Sequence, residues 1–161
     1  MNQITTLLEC LSKEISADEK EAIKEFASDL YLYVHQRDEE DPDTLDTKLE
    51  SANRQEELSH ANRTLERFTM LLEKYQHFPS GQKLLAFFLS HIHDVFTFQI
   101  KGKNLSDSEI DDVIRTQIVE KIIADMGNGS VHFTINANHV RGMVYFLADR
   151  CYVRWDDKCS A

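Results

Sequence analysis

The sequence predicts an all-α protein: a helical bundle of five or six helices, one of them long, with a minor β element at the C-terminal end. Three observations carry this. Apolar residues recur at spacings of three and four through most of the chain, the period of one helix face. Glycine and proline are scarce, 5 and 2 in 161 residues, whereas sandwiches and barrels need turn residues between many short strands. The chain is 42% hydrophobic, enough to fill one core, and its length suits a single domain, 1–161. That domain divides into an acidic helical half, 1–78, which holds the long helix, and a hydrophobic core half, 79–161.

Ile4, Leu8, Leu11 and Ile15 line one face of a first helix, 3–15. Cys10, near Leu7 and Leu11, is expected in the core. Ser16 and Glu19 form a capping box that opens a second helix. Its stripe is Ile23, Phe26, Ala27, Leu30 and Val34, and it ends near Gln36. Residues 38–44, DEEDPDT, interrupt the pattern, because Pro42 is costly inside a helix. Asp43 or Thr44 caps the next helix, whose pattern extends to His77. Leu45, Leu49 and Ala52 form its first stripe; Leu58, Ala61, Leu65, Phe68, Leu72 and Tyr75 form its second. Between them NRQEE, 53–57, holds no apolar residue, so the helix either carries an exposed polar middle or breaks near Asn53. An unbroken helix of roughly 33 residues spans about 50 Å, longer than a domain of this size covers. The first stripe is therefore expected to project, which makes Leu45 and Leu49 candidate interface residues.

Pro79-Ser80-Gly81 reads as a turn. Residues 83–98, KLLAFFLSHIHDVFTF, are apolar on nearly every side and predict a central buried helix. Ser106 and Glu109 form a second capping box, opening a helix whose face is Ile110, Val113, Ile114, Ile118, Ile122 and Met126. Gly127-Asn128-Gly129 stops it. SVHFTI, 130–135, and CYVRW, 151–155, lean towards β structure. They flank a helix from Val140 to about Arg150, capped by Asn138. Gly142 costs that helix about 1 kcal/mol relative to Ala, and close approach by another helix is the expected compensation.

Charge is uneven. The net charge is −10, and all of it sits before residue 67: residues 1–66 hold 17 acidic and 7 basic side chains. Such a chain does not bind nucleic acid through its overall field. It solubilises itself or attracts a basic partner. No segment is long and apolar enough to cross a membrane, and the N-terminus lacks the basic region of a secretory signal. A cytoplasmic protein is expected. Cys10, Cys151 and Cys159 are widely separated, with no CxxC pair for a zinc site.

No constellation announces a reaction. His91 and His93 lie two apart on a predicted helix, where side chains point about 200° from one another, so one ion cannot readily take both. His132, His139 and Cys151 have no spacing that favours a thiol nucleophile with its base. The carboxylates of 38–46 lie on a polar stretch where burial cannot tune them. No cofactor and no catalytic residue is expected. Arg141, Arg150, Arg154 and Trp155 gather in the densest apolar stretch. They read either as a C-terminal structural lock or as an interface with Arg and aromatic anchors.

That stretch also carries a resemblance. His139-x-x-Gly142-Met143-Val144-Tyr145-Phe146-Leu147-Ala148, followed by Cys151-Tyr152-Val153-Arg154-Trp155, resembles the terminal motif of C-terminal domains in ABC-three-component anti-phage systems, relatives of the Lamassu type. The resemblance implies a helical, non-catalytic domain that couples an effector to an SMC-like ABC ATPase sensing foreign DNA. Such domains usually follow an effector enzyme, and none precedes this one, so a free-standing adaptor is expected. Its partners would be other protein subunits, with no direct nucleic-acid binding and self-association left open. Two other functions are weighed against it. One is an acidic inhibitor that occupies a DNA-binding groove by imitating phosphate charge; the other is a small hydrolytic enzyme.

Overall fold

The computed structural model describes residues 3–16, 43–127, 133–150 and 152–155. Of the predicted second helix only Ser16 is described, and it ends the first helix, Gln3–Ser16, rather than capping a second; residues 17–36 lie outside them. So do Cys151, Cys159, His132 and the stop at 128–129. The described residues are helical, with no strand among them. Phe133–Asn136 and Tyr152–Trp155 take no regular structure, so the expected β element is not formed by them. Each of these short runs instead buries an aromatic ring, Phe133 and Trp155, and side-chain packing holds them where strand pairing was expected.

Helix α1 is Gln3–Ser16 and buries Ile4, Leu7, Leu8 and Leu11. Cys10 is exposed, contrary to expectation. At about 100° per residue it lies nearly a third of a turn from the centre of that face, too far round to reach the core. Helix α2, Leu45–Ser51, is capped by the Thr44 side chain, which accepts from the Thr47 N–H.

The long helix does not form. After α2 the chain closes a Schellman motif: Arg54 N–H donates to Leu49 C=O at 2.7 Å and Asn53 N–H to Glu50 C=O at 3.0 Å. Asn53 takes the left-handed φ of 58° that this motif requires. A short 3₁₀ turn, Gln55–Glu57, leads into α3, Leu58–Tyr75. Two short rods can fold back on one core where a single rod of about 50 Å cannot, and Leu45 and Leu49 end up buried, at 2% and 0% exposure. The projecting stripe expected at Leu45 and Leu49 is absent for the same reason.

Helix α4, Pro79–Val95, continues as a π-helix over Phe96–Ile100. Pro79-Ser80-Gly81 is its first turn rather than the turn before it; proline is well placed there because that N–H has no intrahelical partner. Phe78, at the N-cap, supplies no side-chain acceptor. Glu14 of α1 does so, taking the Ser80 N–H at 3.1 Å and 3.3 Å on its two carboxylate oxygens. Helix α4 is mostly buried, yet it keeps an outward side with Lys83 and Phe87.

Helix α5 begins as Asp107–Val113 under the predicted Ser106–Glu109 capping box. It widens to a π-helix over Ile114–Glu120 and returns to α-helix over Lys121–Met126. Its apolar residues follow a strict four-residue step: Ile110, Ile114, Ile118, Ile122 and Met126, all buried. In an α-helix that step drifts about 40° each time. The wider i+5 turn winds back against the drift and keeps the row on one side. Gly127, at φ 59°, ends it.

Helix α6, Ala137–Asp149, is capped by Asn136 rather than Asn138, with His139 completing the box. It is the most enclosed element, with every residue from Gly142 to Ala148 buried. Its neighbours are α2, α3, α4 and the π turn of α5, and its longest contact is with α3. Gly142 makes that contact possible. A Cβ there would fall 2.8 Å from Thr64 C and 2.9 Å from Phe68 Cβ, so the α3 backbone occupies the space a side chain would need. Phe68 and Phe146 then meet edge-to-face at 5.2 Å.

Candidate interaction surface around Trp155

The C-terminal segment is held by three interactions that begin in different parts of the chain. Lys48, fully buried, sends its ammonium to the carbonyls of Ala148 at 2.8 Å and Val153 at 3.0 Å. These are carbonyls at and beyond the end of α6, which lack helical donors, and a cation is well placed there. Arg154, 8% exposed, pairs with Asp43 at 3.1 Å. Trp155 is buried, its ring 5.8 Å from Tyr145 and 6.4 Å from Phe96.

Beside Trp155 lies an ionic hub. Arg54 enters it from the Schellman turn and is 4% exposed. Its guanidinium donates to Asp111 Oδ1 at 2.7 Å and to the Asp107 carbonyl at 3.2 Å, with the Glu57 carboxylate at 3.5 Å. Burial works against the Arg54 charge, but Asp111, Glu57 and Asp107 outweigh it and raise its pKa. Burial pushes Glu57 above the ordinary glutamate value, with Arg54 opposing. Tyr145 is pushed up to about 12, first by burial and then by Glu57.

These groups line a cleft with Arg141, Ile114, Val144 and Trp155. Two of its atoms, Arg54 Nε and Glu57 Oε2, are buried and find no hydrogen-bond partner among the described residues. One is a donor and the other an acceptor. The space between the lining residues is about 20 Å³, room for one water-sized group. A second, larger groove of about 290 Å³ also reaches Trp155 and is lined by Ala52, Asn53, Ile100, Asn104, Leu105 and Ile110. It contains both described non-glycine residues with positive φ, Asn53 and Asn104.

The sequence-predicted site residues thus separate. Trp155 and half-buried Arg141 line the cleft. Arg154 is used internally by Asp43, and Arg150 lies over the Phe146 ring at 5.3 Å. Leu45 and Leu49 are core. Sequence reasoning missed Lys48, Arg54, Glu57 and Tyr145. Lys48 had a signal: with Leu45, Leu49 and Ala52 it completes an i, i+3, i+4, i+7 face, so it had to lie inward. Arg54 had none, since NRQEE shows no period.

The histidines have other partners. His91 Nε2–H donates to the Gln117 carbonyl at 2.7 Å, inside the π turn of α5. The His93 ring stands edge-on to Tyr152 at 5.6 Å. His139 Nδ1 accepts from the Asn136 N–H at 3.1 Å. Among the described residues no group of three or more His, Cys, Asp or Glu is arranged to hold a metal, and no helix is long and apolar enough to cross a membrane.

Comparison with known proteins gives one finding. Residues 44–155 match the family model described as C-terminal domain 9 of the ABC-three component (ABC-3C) systems. The match runs from the residue that caps α2 to the tryptophan that lines both clefts. No curated protein and no solved structure matches.

Proposed function

Because the chain belongs to the C-terminal domain 9 family of ABC-three component systems, and so to a multi-component assembly, we propose that it is a non-enzymatic interaction subunit that binds other subunits through the surface around Trp155. The observation that carries this is the cleft itself. It places two arginines, a tyrosine and a tryptophan at one position, the residue types in which binding energy concentrates. It also holds a buried donor and a buried acceptor, Arg54 Nε and Glu57 Oε2.

The partner proposed is the SMC-like ABC ATPase of the same system, and the setting is anti-phage defence in the cytoplasm. With its net charge of −10, the subunit leaves DNA to that partner. Co-expression of the tagged chain with the ATPase tests this. A stable complex on gel filtration is expected, weakened at least tenfold by Arg141→Glu while circular dichroism is unchanged. No complex with the ATPase, or one indifferent to Arg141→Glu, overturns the reading. In a gel shift the chain alone is expected to leave a duplex 40-mer unbound at physiological salt.

A further inference from the structure

Among the described residues the large apolar side chains left exposed are Met70, Phe87 and Phe98. Phe87 and Phe98 stand on the outward side of α4 and its π turn, 38% and 70% exposed. Between them lie half-buried His91 and exposed Asp94. The steps from Phe87 to His91, Asp94 and Phe98 are four, three and four, the heptad spacing of a seam that meets another helix. At about 100° per residue, a little less through the π turn, the four fall in a strip roughly 60° wide. Lys83 and Lys101, both exposed, lie beyond its two ends and limit the seam to these four positions.

The order of the four is self-complementary. A two-fold axis crossing α4 midway between Ile92 and His93 sets Phe87 against Phe98 of a second copy and His91 against its Asp94, and then each pair again with the roles exchanged. A parallel pair would instead set Asp94 against Asp94, a like-charge contact. The His91 ring is already oriented: its Nε2–H donates to the Gln117 carbonyl at 2.7 Å. That leaves Nδ1, which carries the second proton of the charged ring, to donate to a carboxylate. We infer that the outward face of α4 is a self-association surface whose occupant is α4 of a second copy of this chain, packed antiparallel. The two phenylalanine layers supply adhesion, and the two His91–Asp94 pairs set direction and register. None of the four residues lines the Trp155 cleft, so the dimer carries that cleft twice.

Sedimentation equilibrium of the full chain over a concentration series is the test. So short a seam is expected to give a reversible dimer with Kd on the order of 10–100 µM. Phe98→Ser is expected to weaken it at least about tenfold with circular dichroism unchanged, since that ring stands mostly in solvent. Met70→Ser, on α3, is expected to leave it as it was. Asp94→Lys is expected to weaken the dimer several-fold, and the double variant His91→Glu, Asp94→Lys to recover it. The swap re-forms both charge pairs in the antiparallel order, whereas in a parallel order it sets like charges together at both positions. A chain that stays monomeric up to about 1 mM, a dimer indifferent to Phe98→Ser, or a double variant that fails to recover overturns the inference. So does a monomer whose complex with the ATPase is lost in Phe98→Ser, which assigns the face to another subunit. The measurement needs no other subunit, so its failure leaves the Trp155 surface untouched.

Discussion

At residue scale, Gly142 shows a local cost offset by a tertiary gain. Alanine suits a helix better by about 1 kcal/mol, but here its Cβ meets the α3 backbone, which cannot rotate aside as a side chain can. Gly142→Ala is expected to lower stability by about 1–3 kcal/mol, read as a lower urea midpoint; a stabilised protein would show that α3 can move away. His139 carries a pH dependence. Burial, then Arg67, lowers its pKa from 6.5, and its neutral Nδ1 serves as the cap acceptor. The unfolded chain therefore binds the proton more tightly, so stability is full above 6.5 and falls as pH drops below it. His139→Gln keeps a capping-box side chain that does not titrate. It is expected to flatten the urea midpoint between about pH 5 and 7. The need for a small residue at 142 was legible in the sequence, as was a face for Lys48. Arg54 was not, because its partners Asp107 and Asp111 lie more than fifty residues away.

At the scale of elements, the break after α2 decides what Leu45 and Leu49 do. Periodicity alone joined α2 and α3, since a stripe with a polar interval fits one long helix or two short ones. Asn53 was the available stop signal, being a residue type that tolerates positive φ. With both leucines buried, Leu45→Asp and Leu49→Asp are each expected to cost about 3 kcal/mol or more, much as Phe68→Asp does. Circular dichroism with urea titration checks this. Leucine variants that stay as stable as wild type while Phe68→Asp unfolds would return the first stripe to the surface. The π segment of α5 was unreadable as such. Its trace was the unvarying four-residue step from Ile110 to Met126, which no straight α-helix keeps on one face.

At the scale of the molecule, Lys48 and the Arg154–Asp43 pair tie the start of the matched region to its end. Lys48→Met is expected to strand the Ala148 and Val153 carbonyls and to cost about 2–4 kcal/mol. Trp155 is the single tryptophan, so its emission reports the segment directly. Lys48→Met is expected to red-shift it below the global urea transition, while Gly142→Ala leaves it unmoved. A coincident shift and unfolding in Lys48→Met would mean the segment and bundle melt as one. The sequence by itself determined the helical class, the faces of α1, α3 and α5, the Ser106 cap, Asp43 or Thr44 as the cap of α2, and the family. The faces and caps depend on residues within a few positions of one another, where the helical period and cap chemistry act. Only the tertiary structure decided that α2 folds inward, that Lys48 closes the C-terminal segment and that Arg54 meets Asp111 beside Trp155. Those contacts join residues from 57 to 105 positions apart, and the geometry that pairs them exists only once the helices have packed.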